Sequence, residues 1–221
     1  MPVRALTPVL AEKARAELNE DPARLEADLQ HIKDWLAKQP HINARTDDQW
    51  LVVFLRGCKF SLERTKEKLD LYYSVRTTAP ELFQMRHTDP LFDEILGLGA
   101  FIILPKPATP DGPLIAIVRL SSYDPNKYNI VDVMAATNAL MRNLDEFYNY
   151  VPKEALPAEY GGNAGTIDEI TAYWRNKVKE YGSWLEEDFK YGTDESKRPG
   201  KPKTAEDMFG VDGSFRKLDF D

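Results

Sequence analysis

The chain has 221 residues, 43% of them hydrophobic, and a formal net charge of -7 with a pI near 5.2. That length and apolar content suit one or two domains with a real core and exclude global disorder, while the acidic balance argues against a nucleic-acid partner, whose phosphates call for a basic face. The lone cysteine, Cys58, rules out an intramolecular disulfide and points to a reducing, cytoplasmic setting, and no apolar run approaches the roughly 20 residues of a membrane span.

The first third reads as helices. Thr7-Pro8 and Asp21-Pro22 each place a capping side chain before a proline at the first helical position. Leu25, Leu29, Ile32 and Leu36 recur at helical spacing until Gln39-Pro40 stops them. Thr46-Asp47-Asp48-Gln49 matches a capping box, and Trp50, Val53 and Phe54 follow up to a stop at Gly57. Ser61 starts a further helix with Leu62, Leu69, Tyr72 and Tyr73 on one stripe. The spacing predicts a helical bundle over residues 1–83.

Asp89-Pro90 opens a short helix that ends at Gly97. The apolar runs "AFIIL" (100–104) and "LIAIV" (114–118) then read as strands covered on both faces. Ile130, Met134, Thr137 and Met141 line one side of the next helix. Thr166-Ile167-Asp168-Glu169 is another capping box, heading one long amphipathic helix from Ile170 to Phe189. Beyond Thr193 the mixture of charge, Pro and Gly predicts an irregular tail.

Catalytic signatures are absent. The sequence holds no nucleophile elbow, no H-E-x-x-H, no phosphate-binding glycine loop and no dinucleotide fingerprint. His31, His41 and His87 are scattered, so no metal site or cofactor is expected, and Cys58 reads as a structural thiol.

The run "FLRGCKFSLERTKEKLDLYYSVR", Phe54 to Arg76, resembles the N-terminal bundle of the CRAL-TRIO lipid-transfer family. "DGPLIAIVRLSSYDPNKYNIVDVMAATNALM" is similar to the start of that family's lipid domain, and "LDEFYNYVPKEALPAEYGG" to its end. The resemblance implies an α/β protein in which the bundle of 1–83 precedes a truncated lipid-binding domain (84–165), a C-terminal amphipathic helix (166–192) and the irregular tail (193–221). Between Gly112 and Tyr160 lie about fifty residues, room for little more than one β-α-β unit of roughly thirty. A central block of the family's domain is missing, with the junction near Arg142-Asn143, and the gate helix and phosphoinositide-contacting residues have no counterparts.

The resemblance further implies a soluble, non-enzymatic carrier that binds and transfers a hydrophobic ligand (tocopherol-, retinoid- or phosphoinositide-like) and is impaired in this shortened form. The alternative is a helical interaction module or a nonfunctional isoform without a cavity. Ligand-facing positions of the family fall on Met134, Thr137, Asn138 and Met141, although the same spacing suits a core face. The shortened α/β region is expected to leave an apolar strand edge or helix face uncovered. "KRPGKPK", Lys197 to Lys203, is the concentrated basic stretch; with Asp194, Glu195, Glu206 and Asp207 flanking it, at most weak contact with phosphoinositide-containing membranes is expected.

Overall fold

The computed structural model describes residues 2–105, 115–119, 124, 126–141, 157–160 and 163–209, without the side chains of residues 138–141 and 160. The described residues form two compact units. One holds the residues up to Pro80 together with those from Lys190 onward, and the other holds Glu81 to Phe189.

The first unit is built from α1 (Pro8–Leu18), α2 (Leu25–Leu36), β1 (Ile42–Asn43), α3 (Asp48–Gly57) and α4 (Leu62–Thr78). Thr7 caps α1 as the sequence predicts, its hydroxyl accepting from the Leu10 amide. Two starts differ from expectation. The Asp21 carboxylate accepts from the Ala23 amide and shapes a turn, so α2 begins only at Leu25, with no side-chain cap. At α3 the cap is Asp47, which accepts from the Trp50 amide. Gln49 instead accepts from the Arg4 amide at 2.8 Å and is drawn away from a capping box.

Ile32, Leu51, Val52, Leu55 and Leu69 are fully enclosed in this unit. The signature run that carries the family resemblance has structural work throughout. Arg56 makes a two-pronged pair with Glu20 at 2.8 Å for each bond, tying α3 to the residues after α1. The buried Tyr73 hydroxyl accepts from the Trp50 indole and from the Arg45 amide, both at 3.0 Å. Trp50, Phe54, Tyr72 and Tyr73 meet edge to face with centroids 5.1–5.8 Å apart. Arg76 lies over the Tyr72 ring and donates to its hydroxyl.

Of the segment expected to be an irregular tail (193–221), residues 193–209 form a strap in this unit, and 210–221 lie outside the described residues. β4 (Gly192–Thr193) pairs antiparallel with β1, Ile42 opposite Thr193 and Asn43 opposite Gly192, and α9 (Ala205–Phe209) follows. Charge pairs, rather than the apolar anchors on which a composition argument depends, hold it in place.

The second unit contains α5 (Pro90–Gly97), β2 (Phe101–Ile103), β3 (Ala116–Val118), α6 (Ile130–Met141), α7 (Ile167–Glu180) and α8 (Gly182–Asp188). The strands pair antiparallel, with Phe101 opposite Val118, Ile102 opposite Ile117 and Ile103 opposite Ala116. Alternate residues of the β2 run feed different cores. Phe101 and Ile103 join Phe92, Ile95, Ala135, Ala136 and Leu185, whereas Ile102 and Leu104 join Ile167 and Ile170 of α7. The Trp174 indole donates to the Ile103 carbonyl, and Arg175 reaches back to Asp93 at 2.8 Å.

Thr166 and Glu169 form both halves of the predicted capping box. The long helix expected beyond it is broken at Tyr181 into α7 and α8. At Gly182 a Cβ would lie 2.6 Å from His87 Nε2, so the second helix admits His87 only because this position lacks a side chain.

Removing the Tyr73 hydroxyl takes away an acceptor shared by two buried donors. Tyr73→Phe is expected to lower unfolding free energy by about 1–3 kcal/mol, read from urea denaturation midpoints.

Candidate functional site

The candidate ligand wall is α6, which begins after a turn tied to α5. Glu94 accepts from Lys127 at 2.6 Å and from the Tyr128 hydroxyl at 2.8 Å. The Lys127 and Tyr128 bonds hold the Glu94 carboxyl below its ordinary range, and bonds to Glu94 first and Tyr128 second push the Lys127 ammonium up. Asn129 then accepts from the Val131 amide at 2.7 Å and shapes the entry to the helix.

From that start the 3.6-residue period turns Ala135 and Ala136, with Val133 partly buried beside them, into the core shared with Phe92, Ile95, Phe101 and Ile103, while Val131 is buried as well. Small residues at 135 and 136 let α6 approach α5 closely. The opposite side of the helix carries apolar residues that are only partly covered. Ile130 is 41% exposed and Met134, four residues on, is 47% exposed. Of the predicted ligand-facing residues, Met134 is therefore a surface residue and Thr137 is half-buried. Asn138 and Met141 lie on the last turn of α6, but their side chains are outside the described residues.

β3 supplies a residue that the sequence reading placed in a covered strand. Val118 is 61% exposed and Ala116 is exposed as well. Their cross-strand partners Phe101 and Ile103 face the α5–α6 core, so the face of the sheet that is covered at β2 is open at β3. The expectation of strands covered on both faces thus holds for the first apolar run and fails for the second. An exposed valine on a strand and an exposed Ile–Met pair on a helix of the same unit are surfaces that favour an apolar contact. Periodicity could flag Ile130 and Met134 but could not tell a wall from a core, and nothing local marked Val118.

The basic stretch has a different environment from a docking patch. Arg198 contacts Asp70 at 2.8 Å, Glu195 at 2.6 Å and the Ser74 hydroxyl at 2.8 Å. Lys203 reaches Asp70 at 2.6 Å, Lys197 pairs with Asp194 at 2.8 Å, and Lys201 pairs with Asp207. Each of these cations already has a carboxylate. Burial pushes the Asp70 carboxyl up, but bonds from Arg198, Lys203 and the buried His41 outweigh it and hold the group at about 2. Bonds from Arg198, against a smaller opposing effect of burial, also hold Glu195 at about 2. The flanking acids were legible as charge neighbours; Asp70, 128 residues away from Arg198, was not.

Among the described residues no group of His, Cys, Asp and Glu is arranged to hold a metal ion, and no helix is long and apolar enough to cross a membrane.

Comparison with known proteins adds relatives. The family model for the Pinta-like UBA domain matches residues 21–95. Alpha-tocopherol transfer protein-like from Homo sapiens is 32% identical over 143 residues, covering 64% of this chain and 41% of that protein. Clavesin-2 from Homo sapiens is 33% identical over 135 residues, 59% of this chain and 40% of its own length. Clavesin-1 from Xenopus laevis is 29% identical over 133 residues, with the same coverage. The chain thus spans about two fifths of the length of the curated relatives it matches.

Asp70 yields an acid-sensitivity prediction. Its folded pKa lies below the ordinary 3.8, so its stabilisation is present above that value and is lost as pH falls towards 2. Asp70→Asn is expected to cost about 2 kcal/mol at pH 7. Thermal unfolding measured from pH 7 to pH 2 checks this: the gap between the two proteins should close below pH 4.

Proposed function

We infer, for a chain that is related to the CRAL-TRIO family over about three fifths of its length, that it is a carrier for a hydrophobic small molecule or lipid. At family level the relatives support lipid binding and transfer. The observation that carries the reading for this chain is the uncovered apolar surface of α6 and β3, with Ile130, Met134 and Val118 facing solvent. Such surface lowers free energy by about 25 cal/mol for each Å² removed from water, before the cost of ordering a ligand. Binding and release make and break no covalent bond, so the proposed role is transport rather than catalysis. The ligand would be tocopherol-, retinoid- or phosphoinositide-like and would rest on Met134, Thr137, Asn138 and Met141. Met134 on that wall is exposed, which favours weaker retention than an enclosed cavity gives.

The proposed setting is cytoplasmic. Contact with phosphoinositide-containing membranes through Lys197–Lys203 should be weak, since each cation there already has an acidic partner. One observation also favours the alternative of an interaction module without a cavity: Val118 and Met134 are on an open surface rather than inside a pocket wall.

A titration with an environment-sensitive fluorescent fatty acid separates these readings. The carrier reading expects saturable binding near one probe per chain, weakened about tenfold by Met134→Glu through loss of apolar contact. Probe emission that does not change with wild-type protein, or binding that Met134→Glu leaves intact, would remove α6 as the ligand wall.

A further inference from the structure

The geometry points to a peptide-binding groove along α4 and β1 that accepts a short strand followed by a turn, with an arginine and a lysine five residues apart, and that this chain fills with its own strap.

The groove is constructed from two kinds of contact that recur in peptide recognition. The first is strand addition. β4 joins the edge of β1, the Asp194 amide donates to the His41 carbonyl at 2.7 Å, and the Asn43 side-chain amide donates to the Lys190 carbonyl at 2.6 Å. Thr77 on α4 reads the same strand from its flank, its hydroxyl accepting from the Thr193 amide at 2.8 Å and donating to the Thr193 carbonyl at 3.3 Å. These bonds address the backbone and would serve any extended chain.

The second kind selects side chains. Asp70, one to two helical turns back along α4 from Thr77, takes both Arg198 and Lys203, and Ser74 between them accepts a further bond from the Arg198 guanidinium. Both Asp70 and Ser74 point to the strap, and Ser74 is fully buried beneath it. The Asp70 carboxylate is fixed from the other side by His41 at 3.2 Å. Arg45 lies over the Tyr191 ring, 4.9 Å from its centroid, and adds a position for an aromatic residue near the start of the segment. The result is a carboxylate and a hydroxyl beside a strand edge, complementary to a segment that enters as a strand and presents an arginine and a lysine. A tethered occupant has an effective concentration in the millimolar range, so the wild-type groove is closed to competitors until the strap opens.

The test uses the full chain and a fluorescein-labelled synthetic peptide of residues 190–209, followed by fluorescence anisotropy. Arg198→Ala/Lys203→Ala should loosen the resident strap and bind the peptide at least about tenfold more tightly than wild type does. Adding Asp70→Asn to that variant should weaken peptide binding at least about tenfold, with circular dichroism confirming that the helices persist. Failure of the doubly substituted protein to bind, or binding that is indifferent to Asp70→Asn, overturns the proposal. Amide exchange on wild-type protein tests it without any substitution. Asp194, Ser196 and Lys203 should exchange through an opening that leaves Leu69 and Tyr73 protected; exchange of both sets only by global unfolding would mean that the groove never becomes available.

Discussion

The apolar run that forms β2 is the element on which the second unit depends. Its residues alternate between two cores, Phe101 and Ile103 on one side and Ile102 and Leu104 on the other. A strand used in this way must be covered twice, and α7 and the α5–α6 pair provide that cover. β3 adds backbone pairing to β2 but receives cover on a smaller scale, which leaves Ala116 and Val118 outside. The uncovered surface is therefore not an isolated accident of side-chain packing. Among the described residues it follows from β3 pairing with β2 while the helices that pack on the sheet concentrate on β2.

The first unit solves the opposite problem. Its helices bury a dense apolar and aromatic core, and its outer surface is completed by a segment with little hydrophobic content. Asp70 makes that possible by concentrating three partners on one carboxylate. A single ion pair at a surface contributes little, because ordering and screening offset it, but a shared and partly buried cluster is less exposed to both losses. The same arrangement occupies Arg198 and Lys203, while Lys197 and Lys201 pair with acids of their own segment. Charge counted along the sequence and charge available to a partner are different quantities here.

What was legible in the sequence was local. The capping box of Thr166 and Glu169, the caps of Thr7 and Asp89, and the bounds of α5 all depend on residues a few positions apart, and the structure keeps them. The box read at Thr46 failed because Asp47 stood in a better position and the Arg4 amide competed for Gln49. His87 packs against Gly182 just after the break at Tyr181, and the strap is bonded to Asp70; both partners are distant in sequence and give no periodic signal. For the candidate site, helical spacing identified the stripe through Met134 but could not say what it faced. That answer depends on which side of α6 meets α5, and small Ala135 and Ala136 decide it.

The central claim is that the open surface of α6 and β3 holds a hydrophobic ligand. The most direct measurement is mass spectrometry of an organic extract from the purified 221-residue chain, compared with an extract of the Met134→Glu variant prepared in parallel. The account predicts a discrete hydrophobic small molecule or lipid, approaching one per chain and depleted in the variant. An extract with no such species, or one equally abundant in both proteins, would contradict it.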